Sequence, residues 1–146
     1  TRALVRRIVD SLPRPATLEV RLEGDWPVLT TLAQPLDIVL RNLLDNAIRH
    51  HHTGSGLIEV RADARDASHV LFSVADDGPG IAPEWRKAIF EPFRTVAGSE
   101  KPSLGMGLAI VARTLQLLGG RIEVISRPER ACGTEFRVHW LKSVTE

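Results

Sequence analysis

One cysteine, one methionine and no tyrosine occur in 146 residues, and each scarcity closes a route. A single thiol, Cys132, excludes an internal disulfide and any zinc site built from several cysteines. With no activating group beside it in sequence, Cys132 reads as a small residue near a turn. Three tryptophans and four phenylalanines are too few and too scattered for a base-stacking platform. Nineteen basic against eighteen acidic residues leave +1, so no excess charge draws the chain to nucleic acid or to an anionic membrane. No apolar run approaches the roughly 18 residues of a membrane-spanning helix, and no secretory leader pattern is present. What remains, 43% hydrophobic and 25% charged, is ordinary for a globular domain, and the length suffices for one core. We expect a single domain over 1–146. The chain opens at Thr1 rather than methionine, which points to a piece of a longer protein.

Hydrophobic periodicity orders the elements. An amphipathic helix over 3–12 is ended by Pro13 and Pro15, and 18–22 alternates as a strand. Residues 28–31 form a shorter strand candidate before a helix that opens near Pro35 and runs to about His50. After a loop at 53–56, Ile58, Val60, Ala62 and Ala64 share one strand face, and Val70, Phe72 and Val74 share another. A short helix over 83–90 and an aperiodic, lid-like segment over 94–105 follow. A helix over 107–118 is stopped by Gly119 and Gly120, and strands over 121–126 and 134–140 close the chain. Sequential strand pairs with interspersed helices predict an α+β fold: a two-layer α/β sandwich, its mixed sheet covered by helices on one face.

The helix over 37–49 carries an anomaly. Asn42 and Asn46 lie four apart in its apolar interior, each costing roughly 0.5 kcal/mol relative to alanine. At 100° per residue Asn42, Asn46 and Arg49 fall within about 60°, beside the arc of Leu36, Val39, Leu40, Leu43, Leu44 and Ala47. Two amides and a cation along a core face suit an anion that carries a hard metal ion. Asp76 is the second anomaly, because alternation places its carboxylate on the core side of the strand end. It needs a donor, which could be an adenine amine or a nearby backbone amide. Gly78 and Gly80 follow and allow a turn and close approach of a flat ligand. Gly105, Gly107 and Leu108 stand at a helix start, where backbone amides and the helix dipole can hold an anion. Arg94 and Lys101 in the preceding segment could close over a phosphate. The run His50, His51, His52 cannot hold one ion, since consecutive imidazoles point in different directions. His50 is read as lining the pocket; His69 and His139 are read as surface or strand-face residues.

Asn42-Leu43-Leu44-Asp45-Asn46 with Arg49 and His50, Asp76-Asp77-Gly78-Pro79-Gly80-Ile81, Phe90-Glu91-Pro92-Phe93, Gly105-Met106-Gly107-Leu108 and Gly133-Thr134 occur in this order. In order and spacing they resemble the ATP-binding catalytic domain of bacterial sensor histidine kinases. That domain belongs to a superfamily shared with type II topoisomerases, a heat-shock chaperone and a mismatch-repair ATPase. The resemblance spans essentially the whole chain. It implies that Asn46 ligates Mg²⁺, that Asn42 supports metal and phosphates, and that Arg49 contacts phosphate where relatives most often carry lysine. It further implies that Asp76 reads the adenine amine, with Gly78, Gly80 and Ile81 shaping the base pocket and His50 beside the nucleotide. Gly105, Gly107 and the Leu108 amide would hold the phosphate tail, Arg94 or Lys101 would reach the γ-phosphate, and Thr134 would line the site. Many relatives place an arginine two residues past the second phenylalanine; here that position is Thr95, with Arg94 before it.

ATP-hydrolysing relatives carry a glutamate where this chain has Asn42, and an amide cannot act as a general base. None of the five histidines has the setting of a phosphoacceptor. The resemblance therefore implies a kinase domain that uses ATP and Mg²⁺ and has no catalytic acceptor of its own. It would phosphorylate a histidine on a separate dimerisation domain of the same kinase, for relay to a response regulator. The parent would be a homodimer, the domain cytoplasmic and free of membrane contact, compatible with a membrane-anchored parent. The competing readings are a serine/threonine kinase of the anti-sigma-factor type and a module that senses ATP without transfer.

Overall fold

The computed structural model describes residues 2–14, 16–26, 33–49, 56–64, 68–78, 90, 107–126 and 133–141. Along them run α1 (Arg2–Ser11), β1 (Leu18–Gly24), α2 (Ala33–Arg49), β2 (Gly56–Ala64), β3 (His69–Asp76), α3 (Gly107–Leu118), β4 (Arg121–Ser126) and β5 (Thr134–Leu141). The expected strand at 28–31, the helix expected over 83–90 except for Phe90, and the segment at 94–105 lie outside the described residues. Cys132, His51 and His52 do as well.

The five strands form one mixed sheet in the order β1-β2-β3-β5-β4. β1 and β2 are parallel, and the other neighbours pair antiparallel. A parallel pair needs a long crossover, and α2 supplies it. The alternation in the sequence becomes one apolar sheet face. Ile58, Val60 and Ala62, Val70, Phe72 and Val74, and Phe136, Val138 and Trp140 are all buried against the helices. The helices answer with Val5, Ile8 and Val9 from α1 and Leu108, Val111 and Leu115 from α3. From α2 come Leu36, Val39, Leu40, Leu43, Leu44 and Ala47, the six positions that periodicity assigned to its core face. The sheet's other face is charged and paired within strands: Arg21 with Glu19, Arg61 with Glu59, Arg137 with Glu135. Hydrogen bonding from Arg21, then its charge, holds the exposed Glu19 carboxyl below its ordinary value. His139 meets Glu123 across β5 and β4 at 2.6 Å, the strand-face position expected for it.

α1 stops where Pro13 cannot continue it, and Arg14 folds back over its C-terminal end. The Arg14 guanidinium donates to Val9 O and Leu18 O, each at 3.2 Å, tying the end of α1 to the start of β1. Arg41 of α2 donates to Ser11 Oγ at 2.8 Å and joins the two helices.

Gly133 enters β5 with φ of +74°. A Cβ there would collide with Asp76 O and come within 2.9 Å of Asp77 Cα. Both the left-handed backbone and the lack of space demand glycine. Gly133→Ala should cost at least about 2 kcal/mol, because strain and overlap add. Urea denaturation measures it, and a loss below about 0.5 kcal/mol would show that β3 and β5 separate freely at this point.

Candidate functional site

Strand register brings the chemistry to one end of the sheet. Asp76 at the end of β3 lies between Ile58 and Thr134, and Thr134 in turn pairs with Ser126. Helix directions add to this. α3 is joined to β4 by only Gly119 and Gly120, so it runs antiparallel to β4. Twelve helical residues rise about 18 Å, close to the length of a six-residue strand, which returns Gly107 to the Asp76 end. α2 runs towards that same end, since only residues 50–55 separate Arg49 from the start of β2.

Packing sets how α2 is turned. A fully buried leucine contributes about 2 kcal/mol, several times the helix cost of an asparagine, so the leucines take the core and the amides take what is left. Asn42 and Asn46 accordingly sit half-buried at the rim. Asn42 Nδ2 donates to Ile38 O at 2.7 Å. Only the amide nitrogen can meet a carbonyl oxygen, so this bond fixes which way the group faces. Its Oδ1 is turned to Gly107, where a Cβ would come within 3.2 Å of it. A neutral oxygen thus faces the first residue of α3, whose dipole presents its positive end. The arrangement can take a phosphate on backbone amides and a cation on amide oxygens.

The other part of the site is built from the β3–β5 pair. Asp76 is half-buried, and its Oδ1 accepts the Gly78 N–H at 2.9 Å, so the backbone donor considered above is present. Gly78 and Thr134 are buried beside it in the fold, Thr134 directly opposite Asp76 in the ladder. Arg49 is exposed, and both oxygens of Asp45, four residues earlier, lie 3.0 Å from its Nε. The structure therefore gathers Asn42 with Gly107 and Leu108 in one place, and Asp76, Gly78 and Thr134 in another. It positions Asn46 and Arg49 on the same α2 rim. His50, Gly80, Ile81, Arg94, Lys101 and Gly105 lie outside the described residues. Phe90, from the phenylalanine box, meets Phe136 edge-to-face at 6.2 Å and packs on the core.

Two partners escaped the sequence reading. The Asp45–Arg49 pair was visible in principle as an i,i+4 spacing of opposite charges. Asp77 accepts the Leu57 N–H, a contact that becomes visible only once β2 and β3 are known to pair.

A mixed sheet under helices, with an amide-bearing helix beside a glycine-started one and a carboxylate at a strand end, defines a nucleotide-binding class of site. Residues 31–144 match the family described as histidine kinase-, DNA gyrase B- and HSP90-like ATPase. The chain belongs to that family, as an ATP-binding catalytic domain of the sensor histidine kinase kind. It is 38% identical over 128 residues to the alginate biosynthesis sensor protein KinB of Pseudomonas aeruginosa, covering 88% of this chain and 21% of that protein. The chain therefore spans about a fifth of that relative's length. Among solved structures, the mycobacterial sensor histidine kinase MprB superposes with a TM-score of 0.86 at 26% identity, covering 99% of this chain and 97% of that one. Full-length ShkA in complex with AMPPNP superposes with a TM-score of 0.79 at 31% identity, covering 99% of this chain and 30% of that one. The expected α+β sandwich is the fold these kinases share. Among the described residues no helix is long and apolar enough to cross a membrane.

Arg49 and Asp45 form an exposed helical pair of the kind worth about 0.3–0.5 kcal/mol. Arg49→Ala should thus change thermal stability by no more than about 0.5 kcal/mol. Calorimetric melting checks this, and a loss several times larger would show that Arg49 holds the fold rather than the rim.

Proposed function

We propose that the chain binds Mg-ATP and delivers the γ-phosphoryl group to a histidine of a separate dimerisation domain. An aspartate of a response regulator would then receive it. The observation that carries this reading is Asn42, whose amide oxygen is turned to the N-terminus of α3 by its bond to Ile38. An amide there supports phosphate and metal yet offers no base to activate water. Phosphoryl transfer depends mainly on positioning and charge neutralisation, so a site without a base suits an acceptor brought from outside. The ShkA complex, in which that relative holds AMPPNP, supports a nucleotide in this fold.

The residues fit the ligand in kind. Asp76 would read the adenine amine, with Gly78, Gly80 and Ile81 shaping the base pocket and His50 and Thr134 lining it. Asn42, Arg49, Gly105, Gly107 and Leu108 would hold the phosphates, with Arg94 or Lys101 from the neighbouring segment. Asn46 would hold Mg²⁺, which neutralises phosphate charge. A parent homodimer would supply the acceptor, and the domain itself would lie in the cytoplasm.

Asn46→Ala should weaken Mg-dependent ATP binding at least tenfold, about 1.4 kcal/mol, with little change in melting temperature, because Asn46 lies outside the buried stripe. Titration calorimetry with and without Mg²⁺ tests the assignment, and unchanged Mg-dependent affinity would refute it.

The chain alone should bind ATP without labelling itself or releasing phosphate at an appreciable rate. Radiolabelled ATP is incubated with the chain, then with a histidine-bearing dimerisation domain added, and label should appear only on the added domain. Stable label on the chain by itself would overturn the reading, and rapid phosphate release would favour the ATPase branch of the family.

A further inference from the structure

The carboxylate of Asp77 has no part in the site described so far, although it neighbours the proposed base reader. The β2–β3 ladder ends at the pair Ile58 and Asp76. One residue on, the side chain of Asp77 takes over the pairing: its Oδ1 and Oδ2 each lie 3.2 Å from the Leu57 N, so both share that N–H as acceptors. The carboxylate rests over Gly56, where a Cβ would lie 2.6 Å from both oxygens. Gly56 in turn donates its N–H to Thr17 O at 3.1 Å, tying the spot to the approach of β1. From the other side Gly133 packs against Asp76 O and Asp77 Cα. The 76–77 backbone is thus seated between two glycines, and one side chain latches it to the start of β2.

We propose that Asp77 is a positioning residue for nucleotide recognition: by latching the Leu57 amide over Gly56 it fixes the backbone that aims Asp76 and Gly78 at the base. This rests on the nucleotide reading above. The geometry separates two effects. Asp76 already spends Oδ1 on Gly78, so the direction of its carboxylate depends on where the 76–78 backbone lies. Among the described residues, the groups proposed for the phosphates, Asn42 and Arg49 on α2 and Gly107 and Leu108 at the start of α3, lie on elements other than the two strands that the latch joins. Loosening it should therefore impair recognition of the base and leave recognition of the phosphates intact. A residue that merely supports the fold would impair both alike.

The test is titration calorimetry on this chain with Mg²⁺, using ATP and inorganic tripolyphosphate, which lacks base and ribose. Asp77→Ala should bind ATP about fivefold more weakly, the scale of one exposed charge-assisted hydrogen bond, while its tripolyphosphate affinity stays unchanged. Asp77→Asn keeps an acceptor oxygen and the same shape, and should recover most of the ATP affinity. Where the alanine variant does not fold, Asp77→Glu carries the test, since its longer side chain overshoots the seat over Gly56 and should give the same ATP-selective loss. Equal losses for both ligands, or no loss for ATP, would overturn the inference while leaving the nucleotide reading standing. Absence of ATP binding by the unsubstituted chain would overturn both.

Discussion

Everything at the rim of this domain depends on how α2 is turned about its own axis. Six apolar side chains on one stripe, from Leu36 to Ala47, are essentially removed from solvent against the sheet. Burial of this extent outweighs the local preference of any single residue on the helix, so the rotation is not free. Because 100° separates successive residues, fixing the stripe also fixes the neighbouring line of Asn42, Asn46 and Arg49. The amides therefore need no contacts of their own to be placed. The single bond from Asn42 to Ile38 orients an amide plane that packing has already located. Chemistry at the rim is an offset from a hydrophobic decision.

The other half of the site is placed by the sheet, and by a different principle. A strand cannot choose its face residue by residue, because a one-step slip would expose Val70, Phe72 and Val74 together. Asp76 is carried along by that register to a position opposite Thr134. Glycine then does what no side chain could at this crowded corner. Gly133 lets β5 begin against the Asp76 carbonyl, and Gly56 leaves room for the Asp77 carboxylate. Two close approaches on either side of one peptide confine the strand end, which would suit the directional role proposed for Asp76.

This explains why some of the molecule was legible in its residues and some was not. The core face of α2 and the inner faces of β2, β3 and β5 follow from period alone. The six α2 positions, Ile58, Val60 and Ala62, Val70, Phe72 and Val74, and Phe136, Val138 and Trp140 are buried, while Asp76, carried to the same side, stays half-buried. The asparagine pair stood out because it violated local preference, and such violations mark places where something other than folding selects the residue. Asp77 stayed hidden for the opposite reason. An aspartate beside a glycine looks like ordinary turn chemistry, and its partner, the Leu57 amide, is twenty residues away in sequence and adjacent only after strands pair. The parallel pairing of β1 with β2 was equally out of reach, since period reveals a strand's faces but not its neighbour or direction.

The core and the proposed recognition groups are consequently separate residues of the same elements. On α2 the leucines hold the fold and the amides stand beside them; on β3 the valines and Phe72 hold the sheet and Asp76 closes it. The rim residues are half-buried or exposed, so altering them removes little apolar area and leaves no cavity. A fold arranged in this way can change the chemistry at position 42 without repacking its interior. Glutamate reaches one methylene further from a helix rim than asparagine and offers a base, whereas the amide offers only a neutral oxygen. The core does not register that choice. For this reason a shared architecture defines the family of the chain, whereas the direction of phosphoryl transfer must be argued from the rim.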